Sequence, residues 1–142
     1  MSETHANSLG WLLDEQLGSV EGVRYAVLVS GDGLLKARTH TIDQEGGEKL
    51  AALTASLRAS AKAWDEFTGG GGVRQHLVEC ANNFCLTTAA GQNTTLMVCT
   101  TGPLADIGLI TDHMVRLAVQ LGTQLSTGER TPVPQRDGSL GA

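Results

Sequence analysis

Val23-Arg24-Tyr25-Ala26-Val27-Leu28-Val29-Ser30-Gly31-Asp32-Gly33-Leu34 reads as a strand that runs into a tight turn. Val23, Tyr25, Val27 and Val29 alternate onto one side, and Ala26 and Leu28 make the other side half apolar. Successive side chains of a strand point to opposite faces, so a strand apolar on both belongs in the middle of a sheet with helices above and below. Ser30-Gly31-Asp32-Gly33 supplies the turn, which accounts for Asp32. Leu34 to Thr41 then returns as a second strand, with Lys36, Arg38 and His40 on a polar face.

Upstream of this hairpin, Ser8 is placed to cap a short helix over 9–17, with Leu9, Leu12, Leu13 and Leu17 on one side and Gly18 as its stop. Downstream, 43–47 reads as a polar loop. The clearest helix spans 48–67, where Leu50, Leu53, Leu57, Ala61, Trp64 and Phe67 recur every three or four residues. Gly69-Gly70-Gly71-Gly72 ends it. Strands are expected at 73–80, 84–89 and 94–100, separated by turns at Ala81-Asn82-Asn83 and Ala90-Gly91-Gln92-Asn93. A last helix over 104–125 carries the stripe Ile107, Ile110, Met114, Leu117, Leu121 and Leu125.

The order α-β-β-α-β-β-β-α predicts an α/β (α+β) fold, a three-layer sandwich around a five-stranded, largely antiparallel sheet. The first and last helices should share one face. The middle helix should cover the other, pressing its bulky stripe onto the sheet. One domain is expected over 8–125, between a loose 1–7 and a tail over 126–142 whose Gly, Pro and charge predict disorder.

Composition narrows the function. The net charge is −5 and no basic cluster occurs, which argues against nucleic acid and against an anionic membrane surface. No apolar run reaches the ~18–20 residues of a membrane span. Met1-Ser2-Glu3-Thr4-His5 shows no secretory pattern and the last residues no prenylation box, so a cytoplasmic location is expected. Cys80, Cys85 and Cys99 are too few and too odd in number for a disulfide framework.

The local motifs resemble the roadblock family, named for a dynein light chain and profilin-like in fold. The match runs through Val20-Glu21-Gly22-Val23, Ser30-Gly31-Asp32-Gly33-Leu34, Glu48-Lys49-Leu50-Ala51-Ala52, Val78-Glu79, Leu96-Met97-Val98 and Ala105-Asp106-Ile107-Gly108, within residues 8–125. The chain resembles the bacterial stand-alone type, similar to the regulator of a gliding-motility GTPase. The resemblance implies a homodimer, with middle helices packed together and third strands joined into one sheet. It also implies a small Ras-like GTPase as partner, with an associated histidine kinase, and no catalysis by the chain itself.

The middle helix also bears a stripe of small residues: Ala52, Ala55, Ser56, Ala59 and Ala63. Small side chains let two helix axes approach closely, so this stripe reads as a dimer interface. Alanine is also a strong helix former on any solvated face, but such a face usually carries more charge than the nearby Arg58 and Lys62. Arg58, Arg74 and His76 complete the expected partner surface. Gly69–Gly72 is a connector and no phosphate loop, since it lacks the following Lys and joins a helix to a strand. His76, Cys80 and Cys85 lack a fourth ligand for zinc, so no metal is expected. No cofactor is expected either. His5, His40, His76 and His113 show no reason to converge on a nucleophile. A small-molecule-sensing domain and a cysteine-dependent enzyme are the alternatives.

Overall fold

A computed structural model describes the backbone of residues 2–129 and the side chains of 8–123. In chain order it contains α1 (Ser2–Leu13), continued as a π-helical turn over Asp14–Gly18, then β1 (Val23–Ser30), β2 (Leu35–Arg38) and α2 (Gln44–Thr68). β3 (Gln75–Glu79), β4 (Phe84–Ala89), β5 (Thr94–Thr100) and α3 (Ile107–Glu129) follow. The strands form one sheet in the order β2-β1-β5-β4-β3, antiparallel at every junction. β1 lies inside the sheet, as its double apolarity requires.

The layers follow the expected plan. Leu9, Leu13 and Leu17 share a core with Ile110, Met114, Leu117 and Leu121 of α3, over Ala26, Leu28, Leu96 and Val98 of the sheet. On the other side Val27, Val29 and Met97 pack against Ala51 of α2. One residue changes sides. Val23 belongs with Ala26 and Leu28, because Val23 opposes Thr100 while Tyr25 opposes Cys99, so Arg24 is an extra residue that flips the alternation.

Element boundaries differ from expectation for local reasons. α1 begins at Ser2, ahead of Ser8, and so takes in the stretch expected to be loose; no Gly or Pro interrupts it before Gly10. α2 begins at Gln44 instead of Glu48. Asp43 caps it, its carboxylate accepting from the Gly46 N–H at 2.8 Å, so the expected loop is helix. At its other end Gly69 takes a left-handed φ of 67° and closes the last turn onto Asp65. α3 continues past Leu125 to Glu129, and 130–142, most of the expected tail, lies outside the described residues.

In the β1–β2 turn the Ser30 hydroxyl donates to the Asp32 carboxylate and Gly33 sits at a φ of 87°, which confirms the turn role of Asp32.

Candidate functional site

α2 meets the sheet through small residues. Gly47, Ala51 and Thr54, spaced four and three apart, are its buried positions. A Cβ at Gly47 would stand 2.8 Å from Leu35 Cδ2, so the helix lies close on β2. Most of the bulky stripe therefore turns away from the sheet, contrary to expectation, and only Leu50 at its start packs against the core formed by Val27, Val29 and Met97. Leu53, Trp64 and Phe67 point outward and are 54%, 72% and 90% exposed. β1, β5 and β2 present Val27, Val29, Met97 and Leu35 to this interface, and the close approach of α2 at Gly47 and Ala51 suits small residues against them.

The small residues expected at an interface are placed as follows. Ala52, Ser56, Ala59 and Ala63 are exposed, and they flank the outward bulky row. Ala55 is half-buried near the β1–β2 turn, where a Cβ on Gly33 would meet its own Cβ at 3.3 Å. Arg58 is half-buried and faces His76 on β3. The His76 Nδ1 pairs with the Thr87 hydroxyl at 2.9 Å, while its Nε2 is buried without a hydrogen-bond partner. Burial, and then the Arg58 charge, hold the imidazole pKa below its ordinary value, so it favours the neutral form. Arg74 is exposed just before β3, and its carbonyl accepts from the Ala89 N–H and the Thr88 hydroxyl.

The two edges of the sheet are treated differently. In β2 the bond from the Thr39 N–H to the Ala26 carbonyl fixes which groups face outward: those of Arg38 and His40. Both are covered. A Cβ at Gly10 would lie 3.3 Å from the Arg38 carbonyl oxygen, so α1 runs against it. The Asp14 carboxylate accepts from the His40 N–H at 3.0 Å and pairs with the ring at 2.9 Å. In β3 the bonds Cys80 N–H to Asn83 O and Ala89 N–H to Arg74 O turn the even-numbered residues inward. The N–H and C=O groups of Gln75, Leu77 and Glu79 therefore face out, and none of the described hydrogen bonds covers them. Sequence reasoning missed the Asp14–His40 contact, whose partners stand far apart in the chain.

The cysteines are all free. Cys85 stands directly across from Cys99, which the sequence did not suggest, and Cys99 neighbours Tyr25 in turn. Burial, then Cys99 and Cys80, push the Cys85 thiol up to about 11. That opposes nucleophilic chemistry at neutral pH. Burial, followed by the Cys99 contact, also raises Tyr25. Among the described residues no cluster of three or more His, Cys, Asp or Glu could hold a metal, and no helix is long and apolar enough to cross a membrane.

The sequence model of the Roadblock/LC7 domain matches residues 9–100. The chain belongs to the Roadblock/LC7 family. A Roadblock/LC7 domain from Streptomyces avermitilis is similar, at 31% identity and a TM-score of 0.76 over 82% of this chain and 96% of that one. The gliding protein MglB from Thermus thermophilus shares the fold at 21% identity and a TM-score of 0.72, covering 83% of this chain and 88% of its own. Myxococcus xanthus MglB does so at 19% and 0.72, covering 87% and 97%. No curated protein matches the sequence. In this Roadblock/LC7 chain the outward α2 row and the β3 edge are two features left uncovered among the described residues.

Proposed function

We propose that the chain is a homodimeric regulatory or scaffold subunit that serves a small Ras-like GTPase in the cytoplasm. The observation that carries this reading is the contrast between edges: β2 is capped by α1 and Asp14, whereas no hydrogen bond among the described residues covers the outward groups of β3. An uncapped edge pairs readily with another strand, and proteins that stay single cover or charge theirs. The exposed Leu53, Trp64 and Phe67 on α2 add an apolar face of the kind that marks an interface. Two copies joined through β3 would bring those helices together above one continuous sheet, with Ala52, Ser56, Ala59 and Ala63 allowing close approach.

The GTPase role rests on the family and on the likeness to gliding proteins. The chain's contribution to hydrolysis is positioning, since placement and charge dominate phosphoryl transfer. Arg58, Arg74 and His76 belong to the partner surface, and an associated histidine kinase fits a signalling cassette of this kind. Size-exclusion chromatography with light scattering on the full chain is expected to give a dimer mass. Pull-down of small Ras-like GTPases from the same organism, loaded in turn with GDP and a GTP analogue, is expected to show nucleotide-dependent capture. A lone subunit at every concentration overturns the dimer, and equal absence of capture in both states overturns the GTPase assignment.

A further inference from the structure

We propose that the cleft between α1 and the outer edge of β2 is a docking site for a linear acidic segment of a partner protein, one in which a bulky apolar side chain is flanked by Asp or Glu. β2 and β3 are the two outer strands of the sheet, four strand spacings or about 19 Å apart. The site therefore lies away from the β3 edge and does not rest on the homodimer reading.

α1 meets the β2 edge through Gly10 and Asp14, which stand one helical turn apart. Beside these contacts the seam opens into a cleft of ≈ 420 Å³, within the range of about 300–1,000 Å³ common to binding sites. Trp11, the next residue along α1 after Gly10, lines it and is 63% exposed. Lys36 and Arg38 of β2, His40 just beyond that strand and Gln44 at the start of α2 supply polar lining.

The lining carries a surplus of positive charge on a chain whose net charge is −5. Its one carboxylate, Asp14, accepts from the His40 N–H and pairs with the His40 ring. Arg38 is held by neutral acceptors instead. Its Nη1 donates to the Ile42 carbonyl at 2.6 Å, and its Nε donates to the Gln44 amide oxygen at 3.4 Å. The Gln44 amide nitrogen donates to Glu48 Oε2 at 2.9 Å, and Glu48 stands outside the lining. Neither Arg38 nor Lys36 makes an ion pair among the described residues. Arg38 is thus fixed in place with its charge uncompensated, and its Nη2 enters no hydrogen bond among the described residues. A guanidinium presented in this way is already ordered for a carboxylate.

The chemistry of the lining selects the occupant. Two cations on an acidic chain are too few to follow a nucleic-acid backbone, but they match one or two carboxylates. Tryptophan and arginine are enriched among the residues that dominate binding at protein interfaces, one for its flat apolar body and the other for its forked donors. An apolar side chain laid on Trp11 would bring flanking carboxylates to Lys36 and Arg38. The cleft is open to solvent, which suits a segment lying across it better than a small ligand enclosed on every side.

The test uses the full chain and three peptides of about twelve residues, roughly 40 Å when extended. One has a central Phe between Glu residues, one has Lys in place of the Glu, and one keeps the Glu but has Ser in place of the Phe. Calorimetry is expected to give one Glu–Phe peptide per chain, bound at least about tenfold more tightly than either of the others. That binding should weaken as salt is raised. Trp11→Ala and Lys36→Glu are each expected to lose about tenfold in affinity for it, with far-UV circular dichroism and scattering mass unchanged. Lys36→Glu should also remove the preference for Glu over Lys. No binding, equal binding of the Glu and Lys peptides, or an affinity that neither substitution moves overturns the site. Equal binding of the Ser peptide shows a collector of anions and overturns the apolar half of the recognition. A lone subunit that still takes the Glu–Phe peptide overturns the dimer and leaves this site standing.

Discussion

Replacing Trp64 by alanine should leave the folded chain intact and separate the two copies. The indole is 72% exposed on the outward face of α2, between the small residues and Phe67. A large aromatic buries up to ~250 Å², so the exposed part leaves roughly 180 Å² for a partner to cover. At ~25 cal/mol per Å² full covering contributes ~4.5 kcal/mol per copy, and covering half contributes ~2 kcal/mol. Each dimer contains the residue twice, so the loss is ~4 kcal/mol, or about a thousandfold in Kd. The same substitution on the lone chain changes a mostly exposed position and should move folding stability by no more than ~0.5 kcal/mol. Sedimentation over a dilution series reads the first quantity and urea unfolding the second. In a Trp11→Phe background Trp64 becomes the sole indole, and its emission should shift red on dilution of the otherwise unaltered protein. A Kd within threefold of the parent, or an emission spectrum independent of concentration, refutes the reasoning.

Gly22→Ala and Gly69→Ala should differ although both glycines have positive φ, 96° and 67°. A Cβ at Gly22 would meet the Ala105 Cβ at 3.1 Å, whereas at Gly69 nothing lies within 4 Å. Left-handed backbone alone costs ~1–2 kcal/mol, so Gly69→Ala should cost ~1 kcal/mol and Gly22→Ala ~2 kcal/mol or more in urea unfolding; equal costs would show that the β5–α3 loop yields freely to Gly22. For the thiols, burial raises Cys85 from 9.0 to about 11, which keeps it protonated at neutral pH. Iodoacetamide at pH 7.5, followed by peptide mass spectrometry, should modify exposed Cys80 well before Cys85. The stability linked to Cys85 is complete below pH 9 and is lost as pH rises through about 11; early labelling of Cys85 at neutral pH would contradict its burial.

Much of the fold was legible because alternation and the helical period are local signals. β4 and β5 fall at the expected residues, and the double apolarity of β1 placed it inside the sheet. The orientation of α2 was not legible. A helix with one bulky and one small side can sit on a sheet by either, and the choice depends on which side chains the sheet presents to it. Here these are Leu35, Val27 and Met97, and Gly47, Ala51 and Thr54 go inward. The flip at Arg24 was hidden because a bulge changes the count across two strands without changing the residue types in either. The residues nominated for the interface lie mostly on the outward side of α2, but sequence gave them the wrong neighbours: Trp64 and Phe67 stand beside them and away from the core.

The treatment of the two sheet edges ties these features together. Covering β2 required specific choices: Gly10 to let α1 approach the Arg38 carbonyl, and Asp14 to meet the His40 N–H. Among the described residues nothing comparable guards β3, where the outward backbone of Gln75, Leu77 and Glu79 is framed by a half-exposed Leu77. A chain that stayed single would gain from a lysine or proline at Leu77, which would block edge pairing. Leu77→Pro should accordingly remove the dimer while leaving the β3–β4 ladder intact, because the Leu77 N–H points away from β4. An unchanged dimer mass for that variant would mean that the seam lies elsewhere, and then the apolar face of α2 would have to hold the copies together without the strands.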